Sequence, residues 1–237
     1  MQVTQDAIFA GRLRLWQPAR GAGYRFNLDP ILLAGFARPA AHVLELGAGC
    51  GVLGLALLHL GKARRLTAVE IQPEMAELVA RNARENGLEE RVTVLAGDLR
   101  GLALPAADHV VFNPPYFRAG AGRGAPNDAR DVARHERHGG LADFVERARS
   151  CLGPLGFASA VVPIERAAEL TGAWSGHGGA VLRRRSVCSR AGDAPRHLLF
   201  EGGMSAGATV EEPELVVHRD GVRDFTDEVA AWVEGTP

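Results

Sequence analysis

At 237 residues the chain is long enough to bury a substantial core, and its 46% hydrophobic and 23% charged content excludes a disordered tail or a fibrous protein. Its three cysteines, Cys50, Cys151 and Cys188, are too scattered for a disulfide framework or a zinc site, and no apolar run approaches the length of a membrane span. The net charge of −1 conceals an asymmetry: residues 201–237 carry nine acids and two arginines, leaving a net +6 on residues 1–200, which suits an anionic partner.

The opening residues show no charged-then-apolar leader, so a cytoplasmic location is expected. Residues 1–26 contain alternating pieces such as Ile8-Phe9-Ala10-Gly11-Arg12-Leu13-Arg14-Leu15, which read as a small hairpin ahead of the core. Asp29-Pro30 reads as an N-cap followed by proline at the first helical position, with Ile31, Leu32, Leu33 and Phe36 behind it and Pro39 closing the helix. From His42 the pattern alternates. A strand over 42–46 leads into a helix with Leu53, Ala56, Leu57 and Leu60 on one face, ending at Gly61. A strand over 66–69 is followed by a helix opened by Pro73 and closed by Gly87, with Met75, Leu78, Val79 and Ala83 sharing a face. Strands over 92–95 and 109–112 come next. Residues 117–139, rich in glycine and arginine, read as a surface loop.

A helix at 141–152, a strand at 157–162 and a helix at 163–174 resume the alternation. The stretches 180–187, 196–201 and 214–219 are strand-like with short loops between, which suggests antiparallel pairing, and a helix over 225–234 ends the chain. Apolar strands separated by helices predict an α/β fold with a Rossmann-like, mostly parallel sheet, helices on both faces and an antiparallel C-terminal pair. No repeat or linker interrupts the pattern, so a single domain over 1–237 is expected, with residues 1–40 as an N-terminal extension.

The chemistry gathers at the strand ends. Val43-Leu44-Glu45-Leu46-Gly47-Ala48-Gly49-Cys50-Gly51-Val52-Leu53-Gly54 reads as strand, tight turn and helix, and its glycines let a ligand lie against bare main chain. Glu45, Glu70, Asp98 and Asn113 fall at the carboxyl ends of consecutive strands, where ligands of open α/β sheets bind. Glu70 lies where a carboxylate can hold ribose hydroxyls. In Asn113-Pro114-Pro115-Tyr116 the prolines remove two backbone donors and leave their carbonyls as acceptors. Asn113 adds a side-chain acceptor and Tyr116 a π-face, a set suited to a planar amide or aromatic amine. An NAD-dependent dehydrogenase would explain the glycines but not this turn.

Glu45-Leu46-Gly47-Ala48-Gly49-Cys50-Gly51, Glu70, Gly97-Asp98 and Asn113-Pro114-Pro115-Tyr116 resemble class I S-adenosylmethionine-dependent methyltransferases of the amino-methylating branch, whose sheet has seven strands with antiparallel strands at its end. Three further stretches are similar to the bacterial tRNA (adenine-N6)-methyltransferases acting beside the anticodon of valine tRNA. They are Arg25-Phe26-Asn27-Leu28-Asp29-Pro30-Ile31-Leu32-Leu33, Tyr116-Phe117 with the arginine-rich run to Arg134-His135-Glu136, and Arg196-His197-Leu198-Leu199. Leu28 departs from that family, which usually has a small hydroxyl residue before the aspartate.

The resemblance implies roles. Gly47, Ala48 and Gly49 would run under the methionine of S-adenosyl-L-methionine, with Glu45 nearby and Asn27 and Asp29 contributing from the extension. Glu70 would hold the ribose, and Asp98 would accept from the adenine amine, with Ile71 and Leu99 packing its faces. Asn113, Pro114, Pro115 and Tyr116 would form the catalytic turn, and Tyr116, Phe117, Arg118, Arg123, Arg130 and Arg134 would meet RNA, most simply a tRNA. No metal, no membrane and a monomer are expected. The second arginine cluster, Arg183, Arg184, Arg185, Arg190 and Arg196, reads as either phosphate-binding or solvated. Rival readings are N5-methylation of a glutamine in a translation factor, whose enzymes carry a helical domain ahead of the core, N2-methylation of guanine in rRNA, and an RNA or cofactor binder without turnover.

Overall fold

The computed structural model describes residues 1–115, 140–176, 178–205 and 207–236, so the loop expected over 117–139 lies outside the described residues. An antiparallel hairpin of β1 (Val3–Ile8) and β2 (Leu13–Pro18) comes first, and its alternation puts Leu13 and Leu15 in the core with Arg14 exposed between them. Helix α1 (Asp29–Phe36) follows. Its N-cap is Leu28 rather than the expected Asp29, because the Asp29 carboxylate is taken by the Asn27 side-chain amide at 2.7 Å. At the other end Lys62, the single lysine, donates to the Ala34 and Gly35 carbonyls at 2.9 and 2.6 Å and so satisfies the last turn.

The main sheet contains β3 (Ala40–Leu46), β4 (Ala63–Glu70), β5 (Val92–Ala96), β6 (Ala107–Phe112), β7 (Leu152–Pro163), β8 (Ala180–Cys188) and β9 (His197–Gly203), with the two-residue strands β10 (Val210–Glu211) and β11 (Leu215–Val216) added at one edge. The order is β10-β8-β9-β7-β6-β3-β4-β5, with β11 also on β8. Strands β3 to β7 pair in parallel, and β9 is antiparallel to both β7 and β8. The last expected strand differs: β11 runs parallel to β8, not antiparallel. The register explains it. Gly203 at the end of β9 pairs with Ala180 at the start of β8, so a chain passing around to the outer edge of β8 must run along with it.

Helices α1, α2 (Val52–His59), α3 (Pro73–Glu85) and α6 (Asp227–Glu234), with the hairpin, cover one face of the sheet. Helices α4 (Leu141–Ser150) and α5 (Ala167–Gly176) cover the other. The single apolar face expected for α2 is corrected, because every residue from Val52 to Leu58 is buried. Sheet packs on one side of this helix, and α1 and β2 close the other. An eight-residue helix is marginal in water on its own. Burial of its leucines, each contributing roughly 1.5–3 kcal/mol, is what holds it.

Candidate active site at the carboxyl ends of the central strands

Register brings the polar positions to one level. Leu46 pairs with Val69 on one side and Phe112 on the other, and Glu70 pairs with Ala96. Gly47, Glu70, Gly97 and Asn113 therefore stand at the carboxyl ends of β3, β4, β5 and β6. The chain steps outward from β3 to β5 and returns to the far side of β3 with β6, which makes the β3–β6 gap the topological switch point.

Gly47, Gly49 and Gly51 have φ of +71°, +56° and +85°, a region closed to most side chains, and Gly47 and Ala48 donate to the Val69 carbonyl at 2.9 Å each. Two buried carboxyls brace this loop. Glu70 accepts from Gly49 N–H at 2.7 Å and from Gln72 N–H at 2.9 Å, and its pKa is raised by burial against the pull of these hydrogen bonds. Glu45 turns under the first turn of α2, where it accepts from Gly54 N–H at 3.1 Å. Burial pushes it up to about 8, opposed by the Gly54 hydrogen bond and reinforced by the Glu70 charge.

Beside this loop, Gly97 donates to the Glu70 carbonyl at 2.9 Å, which ties the end of β5 to the end of β4. Asp98 is partly exposed and accepts from Arg100, whose Nε and Nη2 approach Oδ1 and Oδ2 at 3.0 and 2.6 Å. Ile71 is half-buried and Leu99 is buried next to them. On the other side of β3, Asn113 is half-buried, Pro114 buried and Pro115 half-buried. Arg166 Nη1 donates to the Pro115 carbonyl at 3.5 Å. Tyr116, Phe117, Arg118, Arg123, Arg130 and Arg134 lie outside the described residues.

The N-terminal extension reaches this end of the sheet. Asp29 is buried, accepts from Asn27 Nδ2, and lies 3.8 Å from Nε2 of His197 at the start of β9. Asn27 and His197 lie far apart in the sequence, and the fold joins them through Asp29. The second arginine cluster divides. Arg183 pairs with the buried Glu201 at 3.0 Å and with Glu212 at 2.9 Å, Arg184 pairs with Glu211, and Arg185 pairs with Glu228 at 2.5 Å. Those three serve the sheet edge, whereas Arg196 is exposed on the loop entering β9.

Two residues escaped the sequence reading. Arg166 shows only its i, i+3 spacing to Glu169 as a signal, since its other partner is a main-chain carbonyl. Asn82 of α3 is fully buried and donates to the carbonyls of Trp16 and Cys50 at 2.9 Å each while accepting from Trp16 N–H. The i, i+4 pair Asn82 and Asn86 is the signal that could have found it, since Asn86 makes the same paired contact to Arg14 one step along β2. Among the described residues no group of three or more His, Cys, Asp or Glu could hold a metal ion, and no helix is long and apolar enough to cross a membrane.

A family model described as the TRM5/TYW2 methyltransferase domain matches residues 31–120. Proteins named tRNA1(Val) (adenine(37)-N6)-methyltransferase in Shewanella amazonensis and Aeromonas hydrophila subsp. hydrophila are 31% and 32% identical to this chain, over 89% and 82% of it and 91% and 82% of their own lengths. A solved structure titled as a predicted O-methyltransferase from Agrobacterium tumefaciens matches with a TM-score of 0.70 at 25% identity, covering 88% of this chain and 96% of that one. Identity at this level along most of both chains, on a sheet whose strand ends carry the glycine loop and the Asn-Pro-Pro turn, means that this chain belongs to the tRNA1(Val) (adenine(37)-N6)-methyltransferase family.

Proposed function

We propose that the protein is an S-adenosylmethionine-dependent methyltransferase acting on the exocyclic N6 of an adenine in tRNA. The observation that carries this reading is the Asn113-Pro114-Pro115 turn, which pairing of Phe112 with Leu46 sets level with the glycine loop across the switch point. The residues present fit the cofactor. Left-handed glycines expose main chain for the methionine, and an added Cβ at Gly47 would lie 3.2 Å from the Phe144 ring, so a side chain there would need the ring to give by a few tenths of an ångström and would sit at an unfavourable φ. Glu70 keeps lone pairs for ribose hydroxyls beyond those used by Gly49 and Gln72. Asp98 is an acceptor for the adenine amine, sharing its oxygens with Arg100, and Ile71 and Leu99 flank the ring. Glu45, Asn27 and Asp29 stand around the methionine side. When bound, this cofactor supplies an electrophilic methyl on a sulfonium.

An aniline-type amine is a weak nucleophile because its lone pair is delocalised into the ring. The Asn113 side-chain oxygen and the Pro114 carbonyl can accept its two hydrogens, aiming the nitrogen and stabilising charge that develops on it. A hydroxyl would bring one hydrogen to these two acceptors, which favours an amine over the oxygen named for the Agrobacterium protein. A target base must leave its stack to reach the turn, and Tyr116, next in sequence, offers a stacking partner. Arg118, Arg123, Arg130 and Arg134 follow in sequence as phosphate contacts, and a cytoplasmic location follows from a tRNA substrate. The test is to incubate the protein with methyl-labelled cofactor and total tRNA, then digest to nucleosides. Label in N6-methyladenosine is expected, and label in N2-methylguanosine or in protein glutamine would overturn the reading.

A further inference from the structure

Pro114 and Pro115 have no N–H, so main-chain hydrogen bonds can tie down these two residues only at their carbonyls. In the methyl-transfer reading the Pro114 carbonyl is reserved for the target amine, which leaves that of Pro115. Arg166 takes it, with Nη1 donating at 3.5 Å. The rest of the guanidinium is locked: Nε and Nη2 donate to Glu169 Oε2 and Oε1 at 3.1 and 2.7 Å, a two-pronged contact that fixes its plane. The Arg166 side chain is only 12% exposed. It closes a single 3-10 turn, Ile164–Arg166, directly after β7, and β7 is the neighbour of β6 in the sheet. The anchor and the turn it holds thus stand on adjacent strands of one rigid support.

We propose that Arg166 is a positioning residue for the amine pocket, fixing the Asn113-Pro114-Pro115 turn through the Pro115 carbonyl while Glu169 holds the guanidinium in plane. The proposal rests on the methyl-transfer reading above. It follows from hydrogen-bond geometry that lysine is a poor substitute, since an ammonium can serve the carbonyl or the carboxylate but cannot present the planar fork that serves both.

The experiment compares Arg166→Ala and Arg166→Lys with wild type in steady-state tRNA methylation, calorimetry with S-adenosylmethionine and thermal melting. A displaced acceptor in a near-attack arrangement costs turnover steeply, so kcat at saturating tRNA and cofactor should fall roughly 10- to 100-fold in Arg166→Ala. Cofactor affinity and melting temperature should not change, and Arg166→Lys should recover part of the rate. A kcat equal to wild type overturns the proposal, as does a rate loss matched by lost cofactor affinity or a lowered melting temperature. A wild type that transfers no methyl to tRNA overturns the underlying reading, and the proposal with it.

Discussion

Replacing Glu45 by glutamine tests the electrostatics of the site without changing its shape. Glu45 is 3% exposed, and its carboxyl is pushed from 4.5 up to about 8, chiefly by burial. Because the folded-state value is the higher one, the folded protein binds the proton more tightly than the unfolded chain. Its contribution to stability is fully present below pH 4.5 and is lost as pH rises towards about 8. At about 1.4 kcal/mol per pH unit the full span amounts to about 5 kcal/mol, of which about 3 kcal/mol is gone by pH 7. Glutamine keeps an oxygen for the Gly54 N–H and does not titrate. Denaturant unfolding of both proteins from pH 5 to 8 should show the variant gaining on wild type by about 1.4 kcal/mol per pH unit through most of that range. Parallel stability curves would refute the reasoning, because they would mean that Glu45 ionises in the folded state as easily as in the unfolded chain.

Asn113→Ala should leave S-adenosylmethionine affinity nearly intact and cut turnover by roughly 10² or more, measured as single-turnover methylation of tRNA; a cofactor defect as large as the rate defect would remove Asn113 from the amine pocket. Asp98→Ala should weaken cofactor binding by roughly 1–3 kcal/mol in calorimetry, because a buried amine loses its acceptor, and an unchanged affinity would place the adenine elsewhere. Gly54→Ala would set a Cβ 2.5 Å from both Glu45 Oε2 and Leu66 Cδ2. The overpacked variant should unfold with roughly 1–3 kcal/mol less stability, and a neutral result would show that α2 can shift away from β3.

The sequence announced those parts of the fold whose cause is local. Strands β3, β4, β5 and β6 are apolar runs that end at a glycine, an acid or Asn113, and the pattern marks each to within a few residues. The common level of Gly47, Glu70, Gly97 and Asn113 is legible for the same reason, since strand-end residues of a parallel sheet share one side whatever the details of packing. What stayed hidden depends on partners distant in sequence. Leu215 and Val216 pair with β8 only because the chain passes around the sheet edge, and two residues give no periodicity to read. The burial of α2 on every side comes from α1 and β2 packing over it, not from its own pattern. Arg183, Arg184 and Arg185 read as either phosphate-binding or solvated until the fold brings Glu201, Glu211 and Glu228 against them. Asn82 reads as a polar interruption of a buried helix face, yet it joins the hairpin backbone at Trp16 to the glycine loop at Cys50.

The pair of buried carboxyls leads to a last consequence. Glu70 and Glu45 brace the loops through the amides of Gly49, Gln72 and Gly54, and the charge of Glu70 makes ionisation of Glu45 harder still. In the methyl-transfer proposal Glu45 stands on the methionine side of the cofactor, where an acid and a neutral amide would respond differently to the ligand. S-adenosylmethionine brings a sulfonium cation. A cation beside Glu45 stabilises the carboxylate that burial disfavours, so its pKa should drop on binding and a proton should leave at neutral pH. Affinity should therefore rise between pH 6 and 8 in wild type, while S-adenosylhomocysteine, uncharged at sulfur, should show a shallower rise. Glu45→Gln should flatten both profiles. Heats of binding measured in buffers of different ionisation enthalpy count the proton directly. Buffer-independent heats for S-adenosylmethionine at pH 7 would mean that the sulfonium does not sit against Glu45, and the methionine end of the cofactor would have to be placed on the other side of the glycine loop.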